Sequence, residues 1–291
     1  QTFRDWELLV VDDGSRDDTA TVTRDVAGSD GRIQFLRQRA GGIVSALDAG
    51  IRAARGSLMA RMDADDVSHP ERLAEQVHCL ETRPELGVVG CRVEFGGDRQ
   101  SRAGYALHVD WLNGLITPEQ IRLNRFVESP FAHPSVLFRR EQIAQHGGYR
   151  HGEFPEDYEL WLRWLDAGVP MAKVPRCLLT WNDPPARLSR TDARYAPEAF
   201  YRVKADYLAR AIRRTQHGRA VWIWGAGRLT RRRAERLENH GMEIAGYIDI
   251  DPAKAGRRIH GCPVVCPPAM PEPADAMVLG YVGTRGAREP I

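Results

Sequence analysis

Two short apolar runs in this chain break off into clustered acids: Trp6 to Val11 leads into Asp12-Asp13-Gly14-Ser15, and Leu58 to Met62 into Asp63-Ala64-Asp65-Asp66. An apolar run of that length bounded by turn residues reads as a buried strand. Unpaired carboxylates are too costly to bury in an apolar layer, so each cluster must lie where its strand leaves the sheet. The intervening segments keep the same rhythm. Asp17, Asp18 and Thr19 offer caps for a helix through Val26, Ile33 to Leu36 is a second strand, and Ile43 to Ala54 carries apolar residues at helical spacing up to Gly56. A helix opens at Pro70 and runs to Glu81, with strands at Val88 to Phe95 and Val136 to Arg140. Asp157 to Ala167 is a helix with Tyr158, Trp161, Leu162 and Leu165 on one side, and Pro197 to Arg214 is a longer one, whereas Ser101 to Phe131 shows no clear period. The alternation defines an α/β chain, with a mostly parallel sheet and helices on both of its faces.

Gln216-His217-Gly218 breaks the long helix and marks a boundary between residues 1–217 and a second unit, 218–291. There a strand (Ala220 to Trp224), a Gly225-Ala226-Gly227 turn, a helix (Leu229 to Asn239) and a strand (Glu243 to Ile248) ending in Asp249 form one βαβ unit, and Ala276 to Val282 adds a further strand. Glycines in such a turn let backbone approach a phosphate at the helix N-terminus, and the following acid can take a ribose hydroxyl, which makes Gly225, Gly227 and Asp249 candidate cofactor-binding residues. Thr230 stands where the third glycine of that pattern would be. A degenerate scaffold fits the same residues.

The net charge of +2, with all but three of the 41 basic residues Arg, lacks the clustered excess that a nucleic-acid partner demands. Five scattered Cys fit reduced thiols in a cytoplasmic protein, and Cys262 and Cys266 have no second pair with which to hold zinc. No apolar run approaches a membrane span.

Carboxylates grouped at strand ends repel one another unless a cation or donor groups neutralise them. An Asp-x-Asp pair such as Asp63 and Asp65 can put oxygens on Mg2+ or Mn2+, ions that favour carboxylates together with substrate phosphate. The simpler role, turn former or helix cap, suits Asp17 and Asp18 and remains open for Asp66.

The stretch from Gln1 to Thr19, the group Gly42, Ala46-Leu47 and Gly50, the segment Ala60 to Asp66 with Pro70 to Gln76, then His133-Pro134-Ser135 and Glu156-Asp157 followed by Leu160-Trp161-Leu162, resemble in order the motifs of inverting family-2 glycosyltransferases of the GT-A fold. The resemblance covers about residues 1 to 210. It implies that Asp12, with Asp13 beside it, meets the nucleotide base. It implies that Asp63 and Asp65 form the metal and diphosphate pair, and that Asp157 is the catalytic base with Glu156 as its neighbour. The family pattern begins with a further strand and helix, expected to precede Gln1, and the second unit is expected to continue beyond Ile291. The donor would be a UDP-, GDP- or dTDP-sugar and the acceptor a glycan or lipid-linked glycan, with peripheral contact at the inner membrane face.

Arg187 and Arg190, after Pro184-Pro185, suit a departing diphosphate as well as an ordinary surface loop. His133 and Trp161 are acceptor-side candidates, although a Trp at helical spacing more often belongs to the core. The unit after residue 218 resembles small Rossmann-like domains appended to some bacterial glycosyltransferases. A nucleotide or NAD sensor, or an oxidoreductase module centred on Gly225, is the alternative function.

Overall fold

The computed structural model describes residues 1–185 and 187–281; Val282, assigned above to the last strand, and the tail through Ile291 lie outside the described residues. Tertiary contacts divide the chain into two units, Gln1–Ala196 and Pro197–Ile291.

The first unit begins with β1 (Leu8–Asp12), α1 (Thr19–Ala27), β2 (Ile33–Arg37) and α2 (Ile43–Ala53). β1 and β2 pair in parallel as a two-stranded sheet. Gly14, in the turn after β1, has φ +85°, and a Cβ there would sit 3.0 Å from the Ala40 nitrogen, so the sharp Asp-Asp-Gly turn requires glycine. Asp17 serves the turn into α1, accepting from the Thr19 amide at 3.1 Å.

Next come β3 (Leu58–Ala60), β4 (Val67–Ser68), α3 (Arg72–Thr82) and β5 (Val88–Phe95), then α4 (Ala103–Gly114), α5 (Pro118–Asn124), β6 (Leu137–Arg139), α6 (Arg140–His146), α7 (Glu156–Asp166) and β7 (Met171–Trp181). The second sheet has the order β3-β6-β5-β7-β4. It is mixed: the long β5–β7 ladder is parallel, whereas β3–β6, β5–β6 and β4–β7 are short and antiparallel. Leu80, Val89, Leu112 and Leu178 form one buried cluster of this unit, and Val44, Met59, Phe131, Trp161 and Trp164 a second.

Among the elements unread in the sequence, α4 and β7 are the longest. α4 has apolar residues around most of its circumference, with Ala106, Val109 and Leu112 buried while Leu107 is exposed, so its period is blurred. β7 is interrupted by Pro175, where the ladder to β5 shifts register.

α8 (Leu188–Thr191) closes the first unit, and α9 (Pro197–Thr215) opens the second. The boundary therefore falls at 196/197 and not at 217/218. Ala205, Ala209 and Ile212 of α9 belong to the same buried cluster as Val221 and Ile223, so the helix is part of the second unit's core. His217 (φ +48°) and Gly218 (φ +81°) make the left-handed turn into β8 (Ala220–Trp224). α10 (Arg228–Glu238), β9 (Ile244–Ile248), β10 (Arg258–Ile259), β11 (Cys262–Val265) and β12 (Ala276–Gly280) follow. The sheet order is β10-β11-β9-β8-β12, parallel except for β10. Among the described residues no helix is long and apolar enough to cross a membrane.

Candidate active site

β1 delivers Asp12 and Asp13 to different tasks. Asp12 accepts from the Ser15 amide at 2.8 Å through Oδ1, and the Ser15 hydrogen bonds hold its carboxyl below the usual range. Its buried Oδ2 has no hydrogen bond among the described residues and lies 3.3 Å from Arg37 Nε. Asp13 is fully engaged: the amides of Gly41 (2.8 Å) and Gly42 (2.7 Å) and Gln38 Nε2 (2.6 Å) all donate to it, so it fixes the loop before α2. Of the pair, Asp12 is the one with an oxygen outside the hydrogen-bond network, and that oxygen faces Arg37.

β3 ends at Ala60, and the turn that follows gathers Asp63, Asp65 and Asp66 so that one oxygen of each lies within 4.8 Å of the others. Asp66 does not cap α3. The N-cap there is Glu71, which makes no side-chain cap, and Asp66 Oδ1 instead accepts from the Asn182 amide at 2.8 Å. Its Oδ2 is buried without a hydrogen-bond partner among the described residues, and burial, with repulsion from Asp63 and Asp65, pushes its pKa up to about 6. Three hard oxygen donors, one of them orphaned, fit a divalent cation such as Mg2+ or Mn2+. Asp63 is paired with Arg61, whose side chain is 9% exposed. Sequence reading passed over Arg61.

It also passed over Arg72 and Gln76, both buried on α3. Arg72 Nη2 donates to the Arg61 carbonyl at 2.8 Å and Nε to Gln76 Oε1 at 3.1 Å; Gln76 Nε2 donates to the carbonyls of Val89 (3.0 Å) and Ser135 (2.8 Å). The two side chains tie the acidic turn, β5 and the His133-Pro134-Ser135 segment together. Their spacing on a helix directly after the acidic cluster was the available signal.

Around His133 the second group of candidates converges. Its Nε2 lies 2.6 Å from the Tyr149 hydroxyl and its Nδ1 3.8 Å from Glu156 Oε1. Burial, then the charge of Arg61, drives its pKa well below the ordinary value, so the ring is neutral. Glu156, also buried, accepts from the Tyr195 hydroxyl at 2.6 Å. Asp157 lies in the first turn of α7 behind Pro155. Burial first, and then the Glu156 charge, raise its proton affinity above that of an ordinary carboxyl. Tyr149 bonds to His133, which faces Glu156, and the charges of Arg61, Glu156, Asp157 and Asp63 all act on the Tyr149 hydroxyl.

Trp161 requires correction as an acceptor-side residue. It is fully buried, edge-on to Phe131, His133 and Trp164, and offers no face to a ligand. It acts by walling in His133. Arg187 lies 4.2 Å over the Trp181 ring, donates to the Tyr105 hydroxyl at 2.5 Å and exerts its charge on Asp66. Arg190 is engaged by the buried Asp183, with Nε at 3.0 Å, which leaves Arg187 as the arginine nearer the acidic turn.

In the second unit Gly225 (φ +111°) makes the turn after β8, with Thr230 packed beneath it, and Gly227 starts α10. Asp249 is occupied: it accepts from the Ala226 amide (2.8 Å), the Asp251 amide (3.0 Å) and Lys254 Nζ (3.0 Å). Its carboxylate braces the glycine turn, which competes with the ribose contact expected of it.

The first unit is thus an α/β unit with an acidic turn after β3 and, at the start of α7, buried Glu156 beside half-buried Asp157. The chain belongs to glycosyl transferase family 2, whose family model matches residues 1–147. Among curated relatives, the amylovoran biosynthesis glycosyltransferase AmsE of Erwinia amylovora is 32% identical over 142 residues, covering 47% of this chain and 49% of that protein. The O-antigen biosynthesis glycosyltransferase WbnJ of Escherichia coli is 27% identical over 187 residues, covering 62% and 70%. The chain thus spans about half the length of AmsE. Among solved structures, the mannosyltransferase PcManGT from Pyrobaculum calidifontis, in complex with GDP-Man and Mn2+, aligns with a TM-score of 0.48 at 23% identity, covering 71% of this chain and 55% of that one.

Proposed function

We propose that the chain is a GT-A-type inverting glycosyltransferase that moves a hexosyl group from a nucleoside diphosphate sugar to an acceptor hydroxyl. The observation that carries this reading is the three-carboxylate turn of Asp63, Asp65 and Asp66, with Arg61 paired to Asp63, alongside the His133–Tyr149–Glu156 cluster at the start of α7, where Asp157 lies. Asp157 accepts the acceptor hydroxyl proton as the new C–O bond forms on one face of the sugar carbon and the bond to the diphosphate breaks on the other. A single base and no covalent intermediate give inversion. Asp63 and Asp65, with Asp66, would hold Mg2+ or Mn2+, which neutralises charge on the diphosphate oxygens. Arg187 would add a guanidinium on that side, Asp12 Oδ2 would accept from the base, and His133 would stand as a neutral hydrogen-bonding group near the acceptor.

Surface-polysaccharide or glycan assembly is the favoured setting, supported by the amylovoran and O-antigen roles of the relatives, with a glycan or lipid-linked acceptor met at the membrane face. The strand order around β8 supports a Rossmann-like second unit, and the engagement of Asp249 favours a scaffold over a nucleotide site there. A panel of UDP-, GDP- and dTDP-sugars, assayed for donor turnover with Mn2+, tests the reading: turnover that depends on Asp157 supports it, and turnover indifferent to Asp157→Asn refutes it.

A further inference from the structure

Arg61, between β3 and the acidic turn, brings a permanent positive charge to Asp63. Its side chain is 9% exposed and ion-paired with Asp63. Its backbone is held at both ends, the amide donating to the Val136 carbonyl at 3.1 Å and the carbonyl accepting from Arg72 Nη2 at 2.8 Å. The same guanidinium interacts electrostatically with Tyr149 and Glu156 as well as with Asp63. The guanidinium thus contacts Asp63 and is acted on by the charge of Glu156, the first residue of α7.

We propose that Arg61 is a resident counter-ion, a positioning residue that neutralises Asp63 until a divalent cation takes that carboxylate over and the guanidinium turns to Glu156 and Asp157. The inference rests on the metal reading of Asp63 and Asp65 given above.

The physical case follows from charge and geometry. Three carboxylates with oxygens within 4.8 Å of one another need positive charge nearby, and among the three Asp63 is the one paired with Arg61. An arginine cannot shed its proton to make room for an incoming cation. A divalent ion on Asp63 thus leaves two cations facing each other unless the guanidinium exchanges partners. Because the backbone of Arg61 is pinned and its side chain buried, the exchange has few directions open to it. The other acids whose charges already act with it are Glu156 and its neighbour Asp157. Ion binding and the α7 acids then become linked, and linkage is reciprocal.

The test is a titration of the full chain with Mn2+ alone, reading free ion by electron paramagnetic resonance. Arg61→Met removes the competitor, so Mn2+ should bind about 5- to 50-fold more tightly than to the wild type, and Asp63→Asn should abolish the difference between them. Equal or weaker binding by Arg61→Met, with the wild type binding normally, overturns the proposal and leaves the metal reading intact. No Mn2+ bound by either protein at millimolar concentration overturns both. Should Arg61→Met fail to fold, the wild type decides: the Arg61 Nε–H resonance, assigned with Arg61→Lys, should shift as Mg2+ is added. A resonance that stays fixed while Mg2+ binds elsewhere in the turn refutes the exchange.

Discussion

The Tyr195 hydroxyl donates a 2.6 Å hydrogen bond to Glu156 Oε2. It divides the labour of two adjacent acids. The bond fixes where the Glu156 carboxylate sits, and the charge of Glu156 helps to raise the proton affinity of Asp157.

Asp157→Asn should cut the transfer rate by about 10²–10⁴-fold with donor binding nearly unchanged, as expected on removing a general base. In the wild type the rate should rise with pH as Asp157 loses its proton. Stability should move the other way. A carboxyl whose pKa is raised on folding binds a proton in the native state that the unfolded chain has released, so stability falls as pH climbs from the ordinary carboxylate range through the raised value. Asp157→Asn should flatten that fall in a series of thermal melts across pH.

Tyr195→Phe removes the donor from Glu156 without changing ring size. With its donor gone, the Glu156 charge is less screened and acts more strongly on Asp157, so the acid limb of the pH–rate profile should move to higher pH. The lost hydrogen bond to a charged group is worth about 1.5–3 kcal/mol, which should lower Tm by several degrees. An unmoved acid limb would detach Tyr195 from the base.

Gln76→Leu leaves the carbonyls of Val89 and Ser135 and the Arg72 guanidinium short of a partner inside the fold. A cost of about 1–3 kcal/mol is expected, measured as a shift of the urea midpoint without a change in slope. Because Ser135 adjoins His133, the same variant should raise KM for acceptor more than for donor.

Chelator should abolish transfer, and Asp65→Ala should weaken binding of the preferred nucleotide only when Mn2+ is present. Full activity in chelator would remove the metal from the acidic turn.

A chain ending at Ala196 should unfold as cooperatively as the complete protein's first unit. One ending at Gln216 should carry an unpartnered α9, with Ala205, Ala209 and Ile212 exposed to solvent, and should aggregate or be clipped within that helix. Limited proteolysis with mass spectrometry separates the two outcomes.

Local pattern sufficed for much of this molecule. Asp12 and Asp63 follow strands because an apolar run must end where a carboxylate needs water or a donor. The helix at Asp157 is legible from Pro155 and the spacing of Trp161 and Leu165. Gly14 is required by a turn that no side chain tolerates. Other assignments depended on contacts far apart in sequence. α9 ends just before a clear break at His217, yet its buried face is completed by Val221 and Ile223, and a helix's membership is set by what covers it. Nothing near Asp249 announces that its oxygens would turn back to Ala226, or that Asp66 would meet Asn182 instead of a helix end. Trp161 and Trp181 are the same residue type, one sealed against Phe131 and the other beneath Arg187, and composition cannot separate them. The sequence by itself determined which residues carry charge and where strands stop, because those follow from solvation and local backbone preference. Only the tertiary structure decided which charges face one another, since Arg61, His133, Glu156 and Tyr195 meet through packing across the chain.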